Sequence, residues 1–341
     1  MVDKVIICGL RRANEVIPMR EVQQAIGRTG RSYDEPGEAV ILCSPEDSAY
    51  AESCLVDETP PVESMLSGVE EAAFHVMPWI DRVHDEESFD KWYGRSLASV
   101  QGRRVRWEDV KSSLVASGCV DDEMNLTDFG RISVRMYLSP SRLLLMREKV
   151  EEIHELGGNV NPLTMSYAIS FDHIPLANVE AWQLSEYKCA VEGEGCVFSN
   201  GELIQGYAYH CQMTGKTPKW MMQVVSSVKD DMPRLFSAAR MVAECMGYGD
   251  MAKDMSLFGI SVFKRVTLET AAVIDEFGLE SRNCALELEE MGIRRKSDLR
   301  GRMSEVMEKC SDELKSELRK SGLAGILLAE EFRMMQKGEN K

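Results

Sequence analysis

The sequence predicts a mainly α-helical protein with an incomplete α/β segment at its N-terminus, and three observations carry that prediction. Helical periodicity runs through most of the 341 residues, with glycines or capping residues where the apolar stripes stop. Aromatic residues are only 7% of the chain and charged residues 28%, which favours helices over a β-sandwich. The two longer β-prone runs, Val5-Ile6-Ile7-Cys8 and Ala39-Val40-Ile41-Leu42-Cys43, flank a helical stretch from Met19 to Ile26. Two strands and one helix cannot cover both faces of a parallel sheet, so residues 1–58 read as the end of a larger α/β domain. Asp57 to Pro61, with Pro60-Pro61, marks the boundary.

From Val62 to Leu138 the pattern is of short helices, then Trp107 to Ser117, a Gly118 stop, the run Cys119-Val120 and a polar hairpin through Asp121-Asp122-Glu123. Thr127 caps a helix from Asp128 to Leu138. Helices followed by a small hairpin predict a winged helix over 59–139. Ser139-Pro140 opens an amphipathic helix whose stripe is Leu143, Met146, Val150, Ile153 and Leu156, stopped by Gly157-Gly158. Beyond Asn161-Pro162 the pattern is helical to the end, which predicts a bundle over 140–330 and a polar tail over 331–341.

The formal charge is -16, from 40 basic and 56 acidic side chains, and taken whole it argues against a nucleic-acid partner. It is not evenly spread. Residues 44–90 hold thirteen acids against Arg82 alone, a net -12. Three basic bunches of +4 each lie elsewhere, at 91–111, 131–149 and 294–302, and that distribution is compatible with a groove tracking phosphates. Apolar stretches are too short for a membrane span, and Met1-Val2-Asp3-Lys4 opens no signal or transit peptide. The expectation is a cytoplasmic protein without membrane partners. Ten cysteines scatter without a C-x-x-C pair. Cys189, Cys196, His210 and Cys211 lack ligand spacing, so reduced thiols and no metal centre are expected.

Chemistry concentrates in Gln24-Ala25-Ile26-Gly27-Arg28-Thr29-Gly30-Arg31, which fits Q-x-x-G-R-x-G-R and continues Ser32-Tyr33-Asp34-Glu35-Pro36-Gly37-Glu38. Phosphoryl transfer gathers negative charge on the γ-phosphate oxygens, and permanently charged guanidiniums stabilise it. Glycines on either side let backbone approach a phosphate. This string resembles the sixth conserved motif of superfamily-two helicases, in the superkiller-type branch and particularly its archaeal DNA-repair helicases. Further likeness follows in order: Leu126-Thr127-x-x-Gly130-Arg131 and Tyr137-x-x-Pro140 resemble the exit from that family's winged helix. Leu163 to Pro175 resembles the start of its helical ratchet domain, and Phe277 to Leu299 its helix-hairpin-helix end.

The resemblance implies that residues 1–58 end the second of two RecA-like domains. Arg28 and Arg31 would be the arginine fingers reaching ATP, with Gly27 and Gly30 beside the phosphates and Gln24 positioning the phosphate or attacking water. It further implies a ratchet helix at Met232 to Met246 that carries Arg234 and Arg240 toward single-stranded or forked DNA, with Met241 near an aromatic position. In the hairpin Gly278-Leu279-Glu280 a carboxylate replaces the second glycine of G-x-G, so Arg294-Arg295-Lys296 is the better DNA contact. A P-loop and an acidic Mg²⁺ motif would lie upstream, in an N-terminal helicase half. Thr214-Gly215-Lys216-Thr217 lacks the leading glycine of a P-loop, since position 210 is histidine, and Val273-Ile274-Asp275-Glu276-Phe277 lacks the histidine or aspartate that an acidic motif needs. The expectation is therefore the C-terminal part of an ATP-dependent DNA helicase, inactive alone and completed in trans or truncated. The alternatives are a non-catalytic nucleic-acid-binding adaptor with a vestigial motif, or a fragment of a related RNA helicase.

Overall fold

The computed structural model describes residues 3–12, 15–30, 37–56, 61–66, 68–169, 185, 198–229, 232–323, 325–326, 328–329 and 332. The chain divides into two compact units, Met1–Met65 with Leu97–Arg103, and Leu66–Ser96 with Arg104–Lys341. The divide does not coincide with Asp57 to Pro61, of which 57–60 lie outside the described residues. Most described elements are helices.

In the first unit, strands Lys4–Cys8 and Glu38–Leu42 pair in parallel, with Lys4 opposite Glu38 and Cys8 opposite Leu42. Parallel neighbours need a crossover, and the Met19–Ile26 helix lies on it. A two-residue antiparallel ladder, Arg11–Arg12 with Glu15–Val16, precedes the helix and has no signature in the sequence pattern. The core is small: Leu10, Val22, Ala51 and Cys54 are buried, with Ile7, Ile17, Ile26 and Ile41 packed against them. Strand alternation puts Ile6 and Leu42 on the other side of the sheet, where each is 55% exposed.

In the second unit, helix Val69–Val76 packs on Trp107–Ala116 and on Pro140–Glu155. Phe89 stacks on Tyr93 at 5.6 Å and tilts against Trp107 at 5.3 Å. The expected hairpin is present as a single bridge between Val120 and Leu126. Its turn closes on Asp121, whose carboxylate accepts the Glu123 and Asn125 N–H groups. Thr127 caps Asp128–Met136 by accepting the Gly130 N–H at 3.1 Å. Any Cβ on Gly130 would overlap the Cys119 carbonyl, so glycine is required there to seat the helix on the hairpin. Leu143, Met146, Val150 and Ile153 are buried as the stripe predicts, but Leu156 is 53% exposed. The helix ends at Glu155, and left-handed Gly157 and Gly158 turn the chain away.

Met232–Cys245 is central to this unit, packing on Gly249–Lys264, Asp128–Met136, Pro140–Glu155 and Pro162–Ile169. Ala238, Ala239 and Ala243 are fully buried, and their small size permits the close approach of several neighbours. Tyr209, Phe236 and Phe258 fill the adjoining core edge to face, 5.1 to 6.0 Å apart. The last helices, from Leu268–Phe277 to Asp312–Lys320, close around Leu288, Ile293, Leu299 and Leu314. Among the described residues no helix is long and apolar enough to cross a membrane. The eight described cysteines are free thiols. Cys189 and Cys196 lie outside the described residues, while burial pushes the Cys211 thiol up to about 11.

Candidate nucleotide and nucleic-acid contacts

Val22 is the buried anchor of Met19–Ile26, and its burial turns Gln24 and Arg28 outward, where both are exposed. The helix end is closed by its own carbonyls: Gly27 N–H donates to Gln23, Arg28 N–H to Ala25 and Thr29 N–H to Ile26. Gly30 leaves in the left-handed region at φ +61, and a Cβ on Gly37 would overlap Thr29 and the Gly30 nitrogen. The chain thus leaves at Gly30 and returns at Gly37 to one place. Arg31 lies outside the described residues.

The arginines of this unit differ in engagement. Arg11 grips Asp47 in a two-pronged contact, with its Nη2 2.7 Å from Oδ1. That guanidinium, helped by the Ser44 hydroxyl, holds the Asp47 carboxyl below the usual carboxylate range. Arg12 reaches Glu21 at 3.0 Å. The Arg28 guanidinium makes no hydrogen bond or ion pair to any described residue. An exposed cation beside glycine backbone, with no ion-pair partner among the described residues, has the chemistry to meet a phosphate.

Arg234 and Arg240 both lie on Met232–Cys245 but have occupations of their own. Arg234 donates from one Nη1 to the carbonyls of Met136 and Tyr137, at 2.7 and 3.0 Å. It thereby caps the C-terminus of Asp128–Met136, where Tyr137 is left-handed at φ +53. Arg240 pairs with Glu244 one turn on, at 2.8 Å, and stays partly exposed. Met241 is half-buried.

Gly278 is the left-handed end of Leu268–Phe277, and Arg282–Glu290 follows it. The hairpin amides are occupied from within, since Glu317 accepts the Glu280 and Ser281 N–H groups at 3.0 Å each. Cys284, Glu313 and Glu317 approach one another here; burial pushes the Cys284 thiol up to about 11, so it stays protonated while Glu317 braces the hairpin. In the next turn Asp298 accepts from Arg294 and Arg295 N–H, and Glu276 from Lys296 N–H. The side chains of Arg294, Arg295 and Lys296 are exposed.

No family model matches the chain. Over 178 residues, 48% of the chain, it is 28% identical to the ATP-dependent DNA helicase Hel308 of Pyrococcus horikoshii. This likeness relates the chain to the helicases. The match spans 24% of that relative's length.

Against this relationship the two decoys take ordinary places. Thr214-Gly215 ends helix Asn200–Thr214, with Gly215 left-handed and the Thr214 hydroxyl bonded to the His210 carbonyl at 2.9 Å. Val273 and Ile274 are core residues of Leu268–Phe277. The basic bunch at 131–149 is largely consumed internally. Lys149 forms a buried pair with Glu202 at 3.1 Å and lies over Tyr167. Arg147 covers the Phe129 ring at 4.1 Å, and Arg131 binds Asp128. Sequence counting has no signal for these engagements, because each partner is distant in the chain or hidden in the local pattern.

Proposed function

We propose that the chain is the C-terminal part of an ATP-dependent DNA helicase of the repair or replication-fork type. Residues 1–58 would end the second RecA-like domain, 59–139 form a winged helix, and 140–330 a helical ratchet domain with a degenerate helix-hairpin-helix end. The observation that carries this reading is the exposed Arg28 beside the Gly30–Gly37 junction, which makes no hydrogen bond or ion pair among the described residues; Arg11 and Arg12 are tied to carboxylates, and Arg20, which also has no such partner among the described residues, lies outside the motif. The likeness to a DNA helicase supports it. So does the sheet face carrying exposed Ile6 and Leu42, which helices of a complete motor would cover.

Bound ATP with Mg²⁺ would bring the γ-phosphate whose transfer to water drives translocation. Arg28 and Arg31 would stabilise its developing charge, Gly27 and Gly30 would admit the phosphates close to backbone, and Gln24 would orient the attacking water. A P-loop and acidic motif, on this polypeptide or another, would hold nucleotide and metal. Arg240, Arg294, Arg295 and Lys296 would contact single-stranded or forked DNA, and Arg234 would hold the ratchet helix against Asp128–Met136.

The test is DNA-stimulated ATP hydrolysis by the chain assembled with its P-loop-bearing half. Arg28→Ala and Arg31→Ala are each expected to lower turnover at least ~10³-fold, the range of an arginine finger. Unchanged turnover would falsify the reading, and strand binding by the chain alone, insensitive to Arg28→Ala, would then favour the adaptor.

A further inference from the structure

A charge count over residues 44–90 argues against any anionic ligand there, with Arg82 as its single base. The fold defeats that count. Arg82 converges with Lys91 and Arg95, which lie on and just beyond helix Glu86–Tyr93, around one cleft of about 670 Å³ completed by Ser88, Trp92 and Ser96. Among the described residues no carboxylate lines it.

The side chains of these three cations make no hydrogen bond or ion pair with any described residue. Arg82 has only the Trp79 ring, 6.0 Å from its guanidinium carbon. Of the basic side chains next in sequence, Arg106 binds Asp109 at 2.7 Å and Arg103 binds Glu63 at 3.2 Å, while Arg104 makes no ion pair among the described residues. In a chain of charge -16, carboxylates are abundant, so three like charges directed at one space with no carboxylate partner among the described residues mark a place for an anion. The cleft is far larger than a lone phosphate requires. Trp92 adds a flat indole, braced by Phe89 at 5.8 Å. Cations that neutralise a backbone beside an aromatic face that receives a base are the elements of single-strand recognition.

We propose that this cleft binds one strand of nucleic acid, its phosphodiesters against Arg82, Lys91 and Arg95 and one unpaired base against Trp92. The inference rests on the nucleic-acid reading above and adds to it a contact outside the helices assigned there.

The experiment measures binding of the full chain to a fluorescein-labelled oligothymidylate by anisotropy, across a salt series. The triple substitution Arg82→Gln, Lys91→Gln and Arg95→Gln should weaken binding at low salt by at least ~10-fold. It should also make the slope of log K against log salt shallower by about 2, at ~0.7 per phosphate released. Its melting temperature should stay within about 2 °C of the unsubstituted protein, because the three side chains are exposed and make no hydrogen bond or ion pair among the described residues. Trp92→Leu should weaken binding several-fold with the slope kept. An unchanged affinity and slope in the triple variant overturns the cleft while the helicase reading stands. If the unsubstituted chain binds no oligonucleotide, the cleft falls, while the helicase reading is decided by the ATP hydrolysis of the assembled protein. Competition by inorganic triphosphate equal to that of the oligonucleotide, phosphate for phosphate, overturns the strand in favour of a small polyphosphate. Binding of poly-glutamate in place of the oligonucleotide overturns it in favour of an acidic protein.

Discussion

Among the described residues of the unit built on Lys4–Cys8 and Glu38–Leu42, four buried side chains make the core cluster and Arg28, past a helix end, makes no hydrogen bond or ion pair through its guanidinium. In the helical unit around Met232–Cys245 the cations are built into the fold: Arg234 caps a neighbouring helix, Lys149 is buried against Glu202, and Arg147 lies on Phe129. Arg11 and Arg12 show that the first unit also pairs arginines with carboxylates. The difference teaches that availability of a cation, not its presence, separates a ligand contact from a strut. Availability is set by helix ends and carboxylates that come from elsewhere in the chain.

The contrast can be broken by removing cations in turn. Lys149→Met has the largest expected effect, a loss of about 3 kcal/mol in unfolding free energy, because the Glu202 carboxylate would remain buried without the Lys149 ammonium; urea unfolding followed by far-UV circular dichroism measures it. Burial works to raise the Glu202 carboxyl, but the Ser199 N–H and Lys149 outweigh it and the net shift is downward. Its contribution is therefore complete above the ordinary value of 4.5 and is lost as pH falls through the lower folded value. The gap between the two proteins should narrow along that acid limb. Arg234→Ala should cost about 2 kcal/mol through its two carbonyl contacts, and if oligonucleotide affinity holds within ~2-fold, its role is positional. Thr127→Ala should cost about 1 kcal/mol as a lost N-cap, read from the same unfolding curves. Arg28→Ala should shift stability by less than ~0.5 kcal/mol; a larger loss would make Arg28 a strut and remove the contrast.

Much of the fold was legible because its signals are local. Thr127, Ser139-Pro140 and Gly157-Gly158 delimit helices through their own backbone preferences, and the apolar stripe of Pro140–Glu155 names four of its buried residues. Leu156 departed from that stripe because the helix stops one residue before it. The ladder Arg11–Arg12 with Glu15–Val16 was invisible, being too short to show alternation. At the candidate site, the exposure of Gln24 and Arg28 follows from burial of Val22 on the opposite side, which the sequence already implies. The engagement of Arg234 does not, for its partners are carbonyls of Met136 and Tyr137 and carbonyls carry no residue identity. Nor does the cleft around Arg82, since a window average hides one base among thirteen acids.

The carboxylates seated on the amides of 280–281 and 294–296 carry a kinetic and pharmacological meaning. Glu317, Asp298 and Glu276 are tethered competitors, each present at its amides at an effective concentration on the order of millimolar or above. Asp298 is held below the ordinary carboxylate range by the Arg294 and Arg295 amides, so it occupies its seat throughout the neutral range. A phosphate arriving from solution must evict a resident that never diffuses away, whereas the side chains of Arg294, Arg295 and Lys296 remain open to it. Weak, fast-exchanging contact through those side chains, without immobilisation on backbone, is the behaviour this part of the molecule is built to give.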